Sequence, residues 1–248
     1  MTEDKQDFGN EIGKVIWFDK ITYGIDSDVS NWHTDTFFDT YKYWFFPEGI
    51  SVEKHSQEGI YIPELIFGHL LTSGNYDKKE KVTGGKNGYG GKLANIFSKQ
   101  FIIETIDSTL HKKYIQTFRN NMSEKDKPKI TSNKSKPYTK ITYYPDFERF
   151  GSTSLSDDMI TLITKRTYDA SAITDPTVSI YLNDKKLECK SFEKYTDLYL
   201  GDKKENPRLY QEFNNRWAVC VAINPTQQFE QVSFVNGITT YQGGKHVE

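Results

Sequence analysis

"VTGGKNGYGGKLANIFS" (residues 82–98) sets five glycines in ten residues directly before an apolar-periodic helix. Glycine loses more conformational entropy on ordering than any other residue, roughly 0.5–1 kcal/mol relative to alanine in a regular element. A chain that accepts this before a helix must gain something a side chain would obstruct. Two phosphate fingerprints fail on these residues. Read from Gly85, G-x-x-x-x-G-K-[ST] reaches Gly90 but then meets Gly91, and Lys92 is followed by Leu93. Read from Gly88, G-x-G-x-x-G needs a small residue where Leu93 stands. What remains is a loop whose successive amide N–H groups turn toward an anion at the N-terminus of the following helix. Lys86 and Lys92 add positive charge and Asn87 a side-chain amide, a set that suits a polyphosphate better than a single carboxylate. The plainer alternatives are a flexible turn for the glycines and a solvated surface for the lysines.

Working outward, Pro63 suits the first turn of a helix that continues through Leu65, Ile66, His69 and Leu70 and ends at "TSGN". "YDKKEK" is a charged loop, and Leu93, Ile96 and Phe97 give the post-glycine helix one inward face. "FIIETI" and "KKYIQTF" predict an antiparallel hairpin, and "YTKITYYP" a further strand. The polar stretch at 120–137, with five lysines, reads as an exposed connection. "SLSDDMITLITKRTYDASAI" predicts a helix capped by Ser156, with Ile160, Ile163 and Thr167 inward. "TVSIYLNDKKLE" predicts a hairpin around Asn183 and Asp184, and "SFEKYTDLYL" a short amphipathic helix. "RWAVCVAI" and "FEQVSFVNGI" are strands, as are "KVIWF" and "YKYWFF" near the start, which flank a loop-like "GIDSDVSNWHTDT".

The 248 residues suffice for one large domain, or one domain and part of another. A net charge of −2 gives no overall attraction for DNA, RNA or an acidic membrane, so a nucleic-acid partner would be held elsewhere. Two cysteines, Cys189 and Cys220, make no disulfide scaffold and point to a reducing compartment, and the five histidines lack zinc-site spacing. No run of 18 apolar residues exists and the start does not resemble a signal peptide, so an intracellular protein with no membrane partner is expected.

The stretch "YIPELIFGHLLTSGNYDKKEKVTGGKNGYGGKLANIFS" resembles the ATPase region of eukaryotic and viral type IIA DNA topoisomerases. It joins an apolar helix, a Thr-Ser-x-Asn corner, a charged lid and a G-x-N-G-x-G loop in the family's order. "YTKITYYPDFERF", "KRTYDA", "IYLNDKKL", "NNRWAVCVAINP", "FEQVSFVNGI" and "GGKHVE" resemble later pieces of that region and the transducer after it, so the likeness covers residues 49–248. It implies an α+β, GHKL-type fold: a mixed sheet with helices on one face that binds ATP under a lid, followed by a partial α/β transducer. The domains it implies are residues 1–190 as a partial GHKL ATP-binding domain, with 1–48 divergent, and 191–248 as a partial transducer. By position, Ser73, Gly74 and Asn75 match the corner near ribose and phosphates. Gly85, Lys86, Asn87, Gly88, Tyr89, Gly90, Gly91 and Lys92 match the phosphate loop. The implied cofactors are ATP and Mg²⁺. The implied partners are DNA, through segments outside this chain, and a second copy or the remaining topoisomerase segments. The location would be nuclear in a eukaryote, otherwise cytoplasmic or viral.

The departures are specific. Gly74 replaces the family's second serine, and no Glu or Asp stands four residues before an Asn in residues 1–50, where the family has its catalytic glutamate and magnesium-binding asparagine. "WFFPEGIS" keeps Gly49 and Ile50 of the adenine-side motif but not Phe45, Phe46, Pro47 or Ser51. The lysine loop that reaches the γ-phosphate and the DNA-cleaving tyrosine would lie beyond Glu248. No catalytic or metal-binding residue is therefore assigned. The chain reads as the ATP-binding and transducer piece of an ATP-dependent, double-strand-passing isomerase, not expected to turn over alone. The alternative is an incomplete interaction module or pseudo-ATPase derived from such a subunit.

Overall fold

The computed structural model describes residues 49–72, 88–214 and 217–247, together with the backbone of residues 15–21. The strand expected at "YKYWFF", the loop before it, the "TSGN" corner after Thr72 and the charged lid lie outside the described residues. The chain divides into two compact units, one of residues 30–81 and 85–160, the other of residues 1–29, 82–84 and 161–248.

In the unit of residues 30–81 and 85–160, α1 (Ile62–Gly68) opens on Pro63 as expected and α2 (Gly90–Ile96) follows the glycine loop. β2 (Ser98–Asp107) and β3 (Lys112–Arg119) form the hairpin, paired from Gln100↔Arg119 to Asp107↔Lys112, and β6 (Tyr138–Pro145) lies antiparallel on the other side of β2. Alternation in β3 buries Tyr114, Gln116 and Phe118 and leaves Lys113, Ile115 and Thr117 on the opposite face. Ile50, Val52, Phe67, Phe101, Ile103, Tyr114 and Phe118 make the core, with Ala94 of α2 packed on it. Each of these large apolar side chains contributes roughly 1.5–3 kcal/mol by leaving water. Phe101 meets the Phe67 ring at 5.9 Å and the edge of Phe118 at 6.4 Å, which fixes α1 over the sheet.

Three expectations change here. α1 stops at Gly68 instead of continuing through His69 and Leu70, because His69 is extended (φ −130°, ψ 126°) and Leu70 is exposed. Leu93 is 44% exposed, and α2 instead buries Gly91, Lys92 and Asn95. The reason is a polar contact: the Asn95 side-chain amide donates to the Phe67 carbonyl at 3.0 Å, satisfying an end-of-helix acceptor of α1. The exposed stretch at 120–137 contains two short strands, β4 (Glu124–Lys125) and β5 (Lys129–Ser132), both on the free edge of β3. Short, lysine-rich edge strands look like loop in sequence because their outward positions face solvent.

In the other unit β1 (Val15–Ile21), β9 (Arg208–Asn214), β10 (Trp217–Ile223), β11 (Glu230–Val235) and β12 (Ile238–Thr239) form a mixed sheet in the order β12-β11-β1-β10-β9. β1 runs parallel to β11 and antiparallel to β10. α3 (Asp157–Ile173) starts where Ser156 Oγ accepts the Met159 amide, and α4 (Phe192–Leu200) where Ser191 Oγ accepts that of Lys194. Thr167 is buried as expected, but Ile160 is 48% exposed because the first turns of α3 lie at the surface. α4 lays Phe192 and Tyr195 edge-on against Phe234 of β11, at 6.3 and 5.7 Å. Between α3 and α4, β7 (Tyr181–Leu182) and β8 (Lys185–Lys186) turn through Asn183 and Asp184 at φ 49° and 62°, the two left-handed residues a two-residue hairpin requires. Cys189 and Cys220 are free and buried, and burial pushes both thiols above their ordinary pKa. No helix among the described residues is long and apolar enough to cross a membrane.

Candidate functional site

The glycine loop is described from Gly88 onward; Ser73, Gly74, Asn75, Gly85, Lys86 and Asn87 lie outside the described residues. Gly88 has φ 66°, a left-handed conformation that explains a glycine there. Tyr89 is the N-cap residue of α2, in helical conformation and with no side-chain cap, and the first turn carries no acidic residue. Lys92 is only 2% exposed, so it is not a solvated surface lysine. Its ammonium donates to the Gly88 carbonyl at 2.6 Å and ties the loop to the first turn of α2.

A helix N-terminus carries about half a positive charge, which favours acidic residues nearby. Here Lys92 adds a full positive charge beside it, buried and bonded to the Gly88 carbonyl. An anionic ligand would be attracted by the same amides and ammonium. The charge of the described residues Gly88–Lys92 has the sign that a phosphate-bearing group would need.

The other segment singled out by the sequence is residues 49–52. Gly49 sits at φ 78° against the backbone of β2. The Ile50 amide donates to Thr105 Oγ1 at 2.9 Å and the Val52 amide to Asp107 Oδ2 at 2.8 Å. Asp107 Oδ1 also accepts the Thr109 and Leu110 amides, so one carboxylate fixes both this segment and the turn after β2. A shallow depression of about 210 Å³ lies there, lined by Gly49, Ser51, Glu53, Asp107, Thr109 and Leu110. Sequence reasoning kept Gly49 and Ile50 but missed Thr105 and Asp107. At a strand end these residue types carry no signal until the segment they latch is known. Phe45, Phe46 and Pro47 lie outside the described residues.

Under α1, Glu64 is buried and accepts hydrogen bonds from Gln116 Nε2 (2.8 Å) and Lys125 Nζ (2.7 Å), with His69 Nε2 at 3.4 Å. Gln116 Oε1 in turn accepts from Tyr114 OH at 2.5 Å. Burial alone would raise the Glu64 pKa, but the bonds from Lys125, Gln116 and His69 outweigh it and the carboxyl titrates below its ordinary value. A carboxyl with a depressed folded pKa stabilises fully above its unfolded pKa, and the contribution is lost as pH falls through the folded value. Urea midpoints taken from pH 7 downward should therefore drop more steeply below about pH 4.3 for the wild type than for Glu64→Gln. Parallel curves would exclude this role for Glu64.

No protein-family model matches the chain. The probable DNA topoisomerase 2 of Dictyostelium discoideum is 52% identical over 202 residues, 80% of this chain and 13% of that protein. DNA topoisomerase 2 of Arabidopsis thaliana is 50% identical over 208 residues, 81% and 14%. Among solved structures, the ATPase region of Saccharomyces cerevisiae topoisomerase II matches with a TM-score of 0.74 at 50% identity, over 81% of this chain and 53% of that one. The ATPase and transducer domains of DNA topoisomerase II from Balamuthia mandrillaris match with a TM-score of 0.74 at 44% identity, over 81% and 51%. The chain spans about half the length of those solved fragments and about a seventh of the curated relatives. Nothing in those descriptions favours a nucleotide-free interaction module.

Proposed function

We propose that this chain, which belongs to the type II DNA topoisomerase family, is the ATP-binding and transducer portion of an enzyme that passes one DNA duplex through another at the expense of ATP. The observation that carries this is the 50% identity to a solved topoisomerase II ATPase region over 81% of the chain, and the buried Lys92 ammonium on the Gly88 carbonyl marks the loop within it. The phosphates of ATP are assigned to the loop of Gly85, Lys86, Asn87, Gly88, Tyr89, Gly90, Gly91 and Lys92, and the ribose side to Ser73, Gly74 and Asn75. Mg²⁺ is part of the same reading, supported by the kinship alone, and would supply charge neutralisation to the nucleotide; no residue of this chain is assigned to hold it. Bound nucleotide would supply the phosphoanhydride whose hydrolysis drives the cycle. The residues of this chain hold and orient it, and none is assigned as general base.

In the same reading residues 1–190 serve the nucleotide and 191–248 begin the transducer, although Tyr195 bonds back across that division to Asp169. The partners are a second copy, or the remaining segments of the enzyme, and DNA. The location is intracellular, nuclear in a eukaryotic host and otherwise cytoplasmic or viral.

Titration with a fluorescent ATP analogue and Mg²⁺ tests the site. A charge-assisted hydrogen bond is worth about 1.5–3 kcal/mol, so Lys92→Met should weaken binding roughly 10- to 100-fold. Gly88→Val, which forbids the left-handed φ, should weaken it as well. Affinities unchanged in both variants, with far-UV circular dichroism like the wild type, would remove the nucleotide from this loop.

A further inference from the structure

Residues 112–140 carry eight lysines and Arg119 against only Glu124 and Asp126, a net +7 in a chain whose total is −2, so the remaining residues sum to −9. Three of these cations are matched: Lys113 by Glu104 at 2.8 Å, Arg119 by Asp126 at 2.6 Å and Lys125 by Glu64 at 2.7 Å. The other six, Lys112, Lys127, Lys129, Lys134, Lys136 and Lys140, are exposed and form no ion pair among the described residues.

The sheet register gathers them. Lys129 of β5 lies opposite Ile115, Ile115 opposite Glu104, and Glu104 opposite Lys140 of β6. This row is on the face away from Tyr114, Gln116 and Phe118, so Lys129 and Lys140 flank the outer face about 14 Å apart, three strand spacings. Lys134 and Lys136 sit in the connection from β5 to β6, anchored where the Asn133 amide donates to the His111 carbonyl at 2.8 Å, beside Lys112 at the start of β3.

We infer that this outer sheet face and the 133–137 connection bind the phosphate backbone of duplex DNA. Three features favour that occupant. The patch concentrates charge opposite in sign to a polymer that carries one charge per ~1.7 Å of axis. Its cations are lysines, point charges suited to phosphate without base readout. Lysine, which this surface concentrates, is depleted at the centres of protein–protein interfaces, and Tyr144, opposite Gln100 and 55% exposed, is the large exposed ring on the face. The inference rests on the reading that the chain serves a DNA-acting enzyme, and it places one DNA contact within this chain rather than outside it.

The test uses the whole chain and a fluorescein-labelled 30-base-pair duplex, with anisotropy followed from 50 to 200 mM salt. The variant Lys127→Gln/Lys129→Gln/Lys134→Gln/Lys136→Gln changes exposed groups only and should keep the wild-type urea midpoint and ATP-analogue affinity. Its slope of log K against log salt should be shallower by about 3–4, at close to 0.9 for each phosphate no longer neutralised, and its affinity at 50 mM salt at least tenfold lower. No wild-type binding at 50 mM salt, equal binding by the variant, or tighter binding of an RNA duplex or of phosphatidylserine vesicles than of DNA would each overturn the inference. Loss of analogue binding by the wild type, with the DNA result intact, would instead remove the nucleotide assignment alone.

Discussion

Gly49→Ala should cost the protein about 3–5 kcal/mol, enough to unfold most of a marginally stable unit at room temperature. A Cβ at this position would stand 1.9 Å from the Ile106 carbonyl oxygen and 2.7 Å from its carbon, both backbone atoms of β2 that cannot swing aside. The left-handed φ of 78° adds about 1–2 kcal/mol of its own. Relief requires moving residues 49–52 away from the sheet, which breaks the bonds from Ile50 to Thr105 and from Val52 to Asp107 and withdraws two fully buried side chains from the core. Gly59→Ala is the control. Its φ of 65° is similar, but nothing lies within 4 Å of the added carbon, so only the backbone cost of about 1 kcal/mol applies. Urea denaturation of both variants separates the two causes. Equal midpoints would mean that the close approach to Ile106 contributes nothing and that φ alone explains the glycine.

The same position shows what sequence could and could not carry. Gly49 is visible as a glycine beside an apolar strand end, but Ile106, the residue that requires it, is more than fifty positions away and reads as an ordinary β residue. Where the determinant is local, the reading holds: the β2–β3 hairpin follows from two β-rich runs five residues apart, and the Asn183-Asp184 turn from residue types that tolerate positive φ. The two serine caps are equally local. α2 failed for the opposite reason. Seven residues give under two turns, too few for periodicity to choose a face, and the choice was made by Asn95 reaching Phe67 and Lys92 reaching Gly88. β4 and β5 failed because an edge strand is polar by necessity. At the candidate site, the glycines and Lys92 were legible because they are contiguous, whereas Thr105 and Asp107 act on backbone far from them in sequence.

Asp169→Ala should destabilise the unit containing α3 and α4 by about 3–5 kcal/mol, because it strands buried partners rather than merely deleting a contact. Asp169 is 3% exposed; one oxygen accepts from Tyr195 OH at 2.6 Å and the other from Arg166 Nη1 at 3.3 Å, while Lys165 Nζ reaches both at 2.9 and 3.0 Å. Arg166 is itself 5% exposed, donates to Thr239 Oγ1 of β12 at 2.6 Å and lies 4.8 Å from the Tyr241 ring centre. Burial, and then the Asp169 charge beside it, push the Tyr195 hydroxyl well above the usual phenol range, so it stays a donor at any working pH. Removing the carboxylate leaves the guanidinium without its counter-charge and the Tyr195 hydroxyl without its carboxylate acceptor. Tyr195→Phe is the milder change, about 1–2 kcal/mol, since Asp169 keeps both cations. The double variant Asp169→Ala/Arg166→Met discriminates further. If the penalty comes from the stranded guanidinium, the second substitution should restore part of the loss, so the double variant should unfold at higher urea than Asp169→Ala. A double variant weaker by the full sum of the two single effects would place the energy in packing around α3 instead of in this charge pair.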